Sequence, residues 1–368
     1  MAAHSHHLWP DASFAGQVEC WNDAARLADR KWDRIMGEVW PEARAHVATE
    51  IGTGDPSAIV FASNTHDLLI RLAAACPRRA GGPLRILTSD GEFHSARRQL
   101  ARWEEAGEAS VTRIATEPFG TFAARFSSAI AHDAHDLIFV SQMMFGSGLL
   151  LGDIAPITGA GRPDGPWVVI DGYHSFMAIE HPFPAPFGDS AFFFAGGYKY
   201  AMAGEGVAFM HCPPGFGPRP PVTGWYAEFD ELGLAPNQVG YAPDAMRFMG
   251  ATFDASGLYR FNVVKRMLAD EGLSTAAISD HVATLHRRLL QGVDGSEFGR
   301  AALINPPDAG PHARFLAWRS PRAANWCDKL MRESCITDVR GNVLRVGLGL
   351  YHDEADIDAF VALARTLT

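Results

Sequence analysis

An α/β fold, with a large domain built on a mostly parallel seven-stranded sheet and a smaller α+β domain behind it, is predicted by three features of the chain. Short, continuously apolar segments alternate with helical patterns between residues 58 and 210, as in a parallel sheet covered by helices on both faces. A Pro/Gly-rich excursion, Pro213 to Pro221, breaks that alternation. Beyond it the chain closes in the order strand, helix, strand, strand, helix.

The elements follow in order. Residues from about Gly16 to Ile51 read as helix, because Val18, Trp21, Ala25, Leu27, Trp32, Ile35 and Met36 recur near helical spacing and Pro41 suits a helix start. Ala58 to Ala62 reads as a strand, followed by the polar turn Ser63-Asn64-Thr65 and a helix from Asp67 to Ala75. Further strands are expected at Leu84 to Leu87, Ser110 to Ala115, Leu137 to Val140, Trp167 to Ile170 and Ala191 to Phe194, with helices at His94 to Glu105 and Thr121 to Ala131. Val207 to Met210 follows too closely for a helical crossover, so it is expected to be antiparallel. Gly224 to Gly250 is polar and irregular, as in a segment crossing a surface or subunit boundary. Helices are expected at Ser256 to Asp270 and Ser274 to Leu290. The closing elements are strand Ala313 to Trp318, helix Ala323 to Arg332, strands Cys335 to Val339 and Val343 to Leu348, and helix Glu354 to Leu367. The expected domains are a helical segment (1–50) packing with the small domain, a large domain (51–250) and a small one (251–368).

The 368 residues are 47% hydrophobic, enough for a large core. A net charge of -10 gives no electrostatic footprint for nucleic acid or an anionic membrane surface, which leaves a small-molecule substrate. Cys20, Cys76, Cys212, Cys327 and Cys335 form no CxxC pair, so no disulfide framework or structural zinc site is expected and a reducing cytoplasm is the simple reading. The start, MAAHSHHLWP, lacks the pattern of a secretion signal, and its three histidines read as a flexible terminus rather than a metal site.

The chemistry centres on two stretches. Trp167 to Ile170 runs into Asp171-Gly172-Tyr173-His174, and Ala195-Gly196-Gly197-Tyr198-Lys199-Tyr200 follows the next strand. Pyridoxal phosphate needs an amine, an anion opposite the pyridine nitrogen, a phosphate cradle and a flat contact on its ring. Lys199, crowded by aromatic and glycine residues, offers the amine, although alone it reads equally as a surface lysine. Asp171, at the carboxyl end of an apolar strand, offers the anion or caps a turn. His174 reaches the ring hydroxyl or is an ordinary polar residue. Ser63, Asn64 and Thr65 hold phosphate at a helix start or merely cap it. Phe93 stacks on the ring or fills the core. Arg345, in an otherwise apolar strand, binds a substrate carboxylate or pairs with a neighbouring acid.

This order of motifs resembles the class V aminotransferase group of fold-type I pyridoxal phosphate enzymes, which includes cysteine desulfurases and kynureninases. The resemblance runs from Phe61-Ala62-Ser63-Asn64-Thr65 to Leu344-Arg345-Val346-Gly347, and Asp171-xx-His174 followed by Gly197-Tyr198-Lys199-Tyr200 is its most specific part. Tyr198 before the lysine, Phe93 in the stacking place, Gly224-Trp225-Tyr226 and the short ending Asp338-Val339-Arg340 are similar to kynureninase. The resemblance implies a phosphate contact for Tyr198 and a cofactor contact for Trp225. It also implies a homodimer with active sites at the interface, Thr252 lying near the neighbouring phosphate. Desulfurases insert a loop with a nucleophilic cysteine before the arginine, and no such loop fits here. Ala96 and Met144-Phe145-Gly146-Ser147 depart from the kynureninase pattern on the substrate side.

The activity this implies is a kynureninase-like Cβ–Cγ hydrolytic cleavage of an α-amino acid. Lys199 forms the aldimine and then takes the α-proton, Asp171 supports the quinonoid, and Arg345 anchors the carboxylate. The alternatives are transamination, racemisation or β-elimination on the same cofactor, and a pyridoxal phosphate-binding protein without turnover.

Overall fold

Every apolar segment expected to be a strand of the large sheet becomes one. The structure, a computed structural model, describes residues 1–78, 82–231, 235, 237–310 and 312–367. The strands are β1 (Ile59–Ala62), β2 (Leu84–Ser89), β3 (Ala109–Ile114), β4 (Leu137–Ser141), β5 (Trp167–Asp171), β6 (Phe192–Gly196) and β7 (Ala208–His211). They form one sheet in the order β1-β7-β6-β5-β4-β2-β3. Only β7 runs against the rest, antiparallel to β1 and β6, because the short lysine turn leaves no length for a crossover helix. β4, β6 and β7 are buried at every position, whereas β3, at the sheet edge, is largely open.

The helices are α1 (Asp11–Leu27), one-turn α2 (Lys31–Arg34), α3 (Trp40–Ile51), α4 (Thr65–Ala75), α5 (His94–Glu105), α6 (Phe122–His132), the one-turn α7 (Ala155–Thr158) and α8 (Ala185–Gly188), α9 (Ser256–Asp270), α10 (Thr275–Val293), α11 (Ala323–Arg332) and α12 (Glu354–Ala364). A second, antiparallel sheet joins β8 (Ala302–Leu303), β9 (Phe315–Arg319), β10 (Asp338–Arg340) and β11 (Val343–Gly347) in the order β10-β11-β9-β8. It has its own core, where Trp318, Trp326, Leu344 and Phe360 meet Leu285 and Leu289. Leu258, Phe261 and Val264 of α9 belong instead to the core of the large sheet. Among the described residues no helix is long and apolar enough to cross a membrane. Part of the irregular segment between Gly224 and Gly250, residues 232–234 and 236, lies outside the described residues.

Two expectations need correction, and α1, a helix as expected, packs by a face that its spacing did not specify. The apolar periodicity of α1 does not mark its inner face: Ser13, Gly16 and Asp23 face inward, while Phe14, Val18 and Trp21 are 72%, 39% and 69% exposed. The reason is close backbone packing. A Cβ on Gly16 would lie 2.8 Å from the Tyr259 carbonyl oxygen, so α1 meets α9 through its small residues, and Asp23 is satisfied by Arg34 and the Tyr259 hydroxyl. Cys335 is not in a strand. It sits in the turn after α11, where Ser334 has positive φ, and β10 starts only at Asp338.

The second correction concerns the N-terminus, which is tied down rather than loose. Gly347 N–H donates to the Met1 carbonyl at 2.9 Å, Ala2 bridges to Gly347, and His7 N–H donates to the Tyr198 carbonyl at 3.4 Å. The strap thus links β11 to the lysine turn. His4 and His7 are buried along it, His4 against Phe315 with ring centroids 4.6 Å apart.

Candidate active site

Five parallel strands, β1, β2, β4, β5 and β6, deliver their C-terminal ends to one place, where an open α/β sheet positions ligand-contacting groups. β5 ends at Asp171, whose carboxylate accepts the Tyr173 N–H at 3.0 Å and so fixes the turn. Gly172 is required in that turn, since a Cβ there would fall 1.9 Å from the Phe193 ring. The turn aims Tyr173 and His174 at the lysine that follows β6. Lys199 Nζ lies 3.2 Å from His174 Nε2, and 4.4 Å, 5.3 Å and 5.7 Å from the ring centroids of Tyr173, Tyr198 and Phe93.

Lys199 is only 6% exposed, and burial lowers its amine from 10.5 to about 7, with nearby Asp171 opposing that fall and Arg345 adding to it. Burial drives His174 well below the usual histidine value, with Lys199 and Arg345 adding to the effect, so the imidazole is neutral. A neutral imidazole either donates to the free amine or accepts from the ammonium, and it holds Nζ in place in both states. Asp171 is raised by burial, against the pull of the Tyr173 N–H and Lys199.

A cavity of about 840 Å³ opens over these groups. Ser63, Asn64, Thr65, Phe93, Asp171, His174, Tyr198 and Lys199 all line it, so most of the predicted site converges. Asn64 is also the cap of α4, accepting from Asp67 N–H at 2.9 Å. Trp225 and Thr252 are not on the wall. They pair with each other at 3.3 Å, and both are exposed. Arg345 is buried just behind the wall, its guanidinium engaged by the Phe145 carbonyl and the Asp338 carboxylate.

Two neighbours were not anticipated. Tyr173 lies beneath Lys199, and only its place in Asp171-xx-His174 hinted at it. Glu92, the residue before Phe93, is a buried carboxyl that accepts from Ser89 Oγ at 2.5 Å and from Ser141 Oγ and N–H at 2.5 and 3.1 Å. It clamps the turn that carries Phe93 to the ends of β2 and β4. Burial pushes it up to about 7 despite those donors. An acid amid polar residues gives no pattern by which sequence foretells burial.

The family model of the class-V aminotransferases matches residues 29–314. The chain belongs to the class-V aminotransferase family. As a class-V enzyme it depends on pyridoxal 5'-phosphate. A probable cysteine desulfurase of Pseudomonas aeruginosa is 26% identical, the match covering 88% of this chain and 82% of that protein. The apo cysteine desulfurase of Thermococcus onnurineus shares the fold at a TM-score of 0.79 and 15% identity, over 98% of this chain and 92% of that one. A cystine C-S lyase solved with its reaction product, cysteine persulfide, matches at a TM-score of 0.78 and 15% identity, over 99% and 96%. The residues present fit the cofactor: a buried amine of lowered basicity, a carboxylate at a strand end, and a phenyl ring beside the amine. His174 Nδ1 is buried without a hydrogen-bond partner.

Proposed function

We propose that this class-V enzyme is a β-eliminating lyase of an α-amino acid, breaking a bond from Cβ to a leaving group such as sulfur. The observation that carries the reading is the buried Lys199 amine, its basicity lowered by burial, on the wall of a cavity that Asp171 also lines. Lys199 and Asp171 would hold the two ends of the cofactor's reactive system, Phe93 its face, and Ser63, Asn64, Thr65 and Tyr198 its phosphate. Bound pyridoxal phosphate supplies an electron sink for charge developing at Cα. Lys199 Nζ takes the α-proton, and His174 keeps that nitrogen aimed as its charge changes. The Cβ–S bond then breaks, the electron pair leaves with sulfur, and the released enamine hydrolyses to a keto acid and ammonia. Arg345 binds the α-carboxylate.

The likeness to a desulfurase and to a C-S lyase supports sulfur as the leaving atom. The placement of cysteines supports its departure as a free species. Among the described residues no cysteine lines the cavity, and Cys335, its thiol pushed up by burial, sits beside the N-terminus in the turn after α11. β10 and β11 are joined by the two residues Gly341 and Asn342, which leaves no loop before Arg345 to bring a thiol inward. The Cβ–Cγ hydrolysis implied by Phe93 and Tyr198 finds no comparable support among these relatives.

The test is a substrate panel. Holoenzyme given L-cystine or an S-substituted L-cysteine is expected to release pyruvate and ammonia, read by a coupled assay. Anthranilate and alanine from kynurenine, or amino transfer to an added keto acid with no pyruvate formed, overturns the reading.

We also propose a homodimer. In support, Trp225 and Thr252 pair with each other at the surface and do not line their own cavity, and the exposed stripe Phe14, Val18 and Trp21 is apolar surface that a second copy would cover. Light scattering is expected to give twice the chain mass; a monomer at micromolar concentration contradicts it.

A further inference from the structure

The arginine read as the carboxylate site already has a carboxylate on it. Asp338 and Arg345 face each other directly across the β10–β11 hairpin, and Asp338 Oδ2 accepts from Arg345 Nη2. The Phe145 carbonyl accepts from Nη1. The third nitrogen, Nε, is buried with no hydrogen-bond partner. A buried, unsatisfied guanidinium N–H is costly, and Nε lies on the same edge as Nη2, the edge that a carboxylate grips with two oxygens. Asp338 uses that edge with one oxygen only.

Asp338 is itself held from other sides. Arg340 Nη1 lies 2.8 Å from Oδ1, and His4 Nε2 lies 3.6 Å from Oδ2. His4 is fully buried, and neither of its ring nitrogens makes a hydrogen bond, so closing its gap to Asp338 by about 0.5 Å would give an ordinary one. Burial works against the Asp338 charge, but His4, Arg345 and Arg340 together hold its carboxyl down at about 2. Removing the only partner of a buried ion is strongly destabilising, whereas Asp338 can lose Arg345 and remain paired.

We propose that Asp338 is the resting counter-ion of Arg345, exchanged for the carboxylate of an incoming α-amino acid, with Arg340 and His4 holding Asp338 once it is displaced. The arriving carboxylate takes Nη2 and Nε together, which satisfies the orphaned N–H. The first residues of the chain thereby become part of the substrate site, since the strap that is anchored to Gly347 and Tyr198 is what carries His4. The proposal rests on the reading of Arg345 given above and adds a competitor inside the protein.

Glycine and methylamine are the probes, differing by the carboxylate, each titrated into holoenzyme and followed by the visible band of the bound cofactor. Asp338→Asn is expected to raise the preference for glycine over methylamine about tenfold, because the internal competitor is gone. Arg340→Ala, on a partly exposed side chain, is expected to lower that preference about threefold, because Asp338 then holds Arg345 harder. An unchanged or lowered preference in Asp338→Asn, or an unchanged or raised one in Arg340→Ala, overturns the exchange. If Asp338→Asn does not fold, Arg340→Ala decides alone. Wild-type holoenzyme with no preference for glycine overturns the Arg345 reading and the exchange with it, whereas a wild-type preference lost only in Arg345→Ala keeps that reading and leaves the variants to judge the exchange.

Discussion

Lys199→Met is expected to give a protein that holds no pyridoxal phosphate covalently, turns over no substrate, and melts at a higher temperature than the cofactor-free wild type. The first two outcomes follow because methionine fills the space of the lysine without its amine, and loss of both attachment and proton transfer costs at least about a thousand-fold in rate. The third follows from linkage. The folded-state amine, at about 7, lies below its ordinary 10.5, so between those values the unfolded chain binds more protons than the folded one. Stability therefore rises with pH across that window, and at or below pH 7 the burial of this lysine carries its full cost, on the order of a few kcal/mol. Methionine removes the cost, so the gain in melting temperature is largest at neutral pH and shrinks toward pH 10.5. Thermal melts of both proteins from pH 6 to 10.5, with borohydride reduction and mass measurement for the cofactor, check all three. A wild type whose stability is flat across that range would show that the amine is not desolvated.

The same buried lysine shows what a sequence discloses. Its neighbours were legible because each sits where an apolar strand stops: Asp171 after Trp167–Ile170, Phe93 after β2, Lys199 after β6. A parallel sheet gathers such ends, so reading the strands gave the convergence. The antiparallel β7 was legible from chain length alone. What escaped had no such rule. His4 lies in a polar run yet is fully buried, because backbone pairing between Ala2 and Gly347 carries it inward. The periodicity of α1 marked it as helix but not which face packs, because Gly16 allows helix-to-helix contact that hydrophobic periodicity does not register. Arg345 had two readings, and the structure adds the acid without removing the substrate: the salt-bridged partner is Asp338, opposite it in the hairpin.

Asp171→Asn is expected to separate holding the cofactor from using it. Asparagine is nearly isosteric and its side-chain oxygen still accepts the Tyr173 N–H, so the turn that aims His174 survives and the cofactor should still attach to Lys199. What is lost is the negative charge at the end of β5. A preorganised charge in a buried site stabilises developing charge far better than solvent does, and its removal is expected to lower turnover by about 10² to 10³ while cofactor retention changes little. A second consequence lies in Lys199 itself. Asp171 is the neighbour that resists the fall of the amine, so without it the amine drops below its present value of about 7. Because only the neutral amine attacks, the midpoint for cofactor uptake by apo protein should move to lower pH in Asp171→Asn, the reverse of what general weakening of the site would give. Uptake rates across pH 5 to 9, set beside steady-state turnover, distinguish these outcomes. Parallel loss of uptake and turnover with an unmoved midpoint would reduce Asp171 to a turn-forming residue, whereas a shifted midpoint with retained uptake makes it the charge against which both the lysine and the cofactor are tuned.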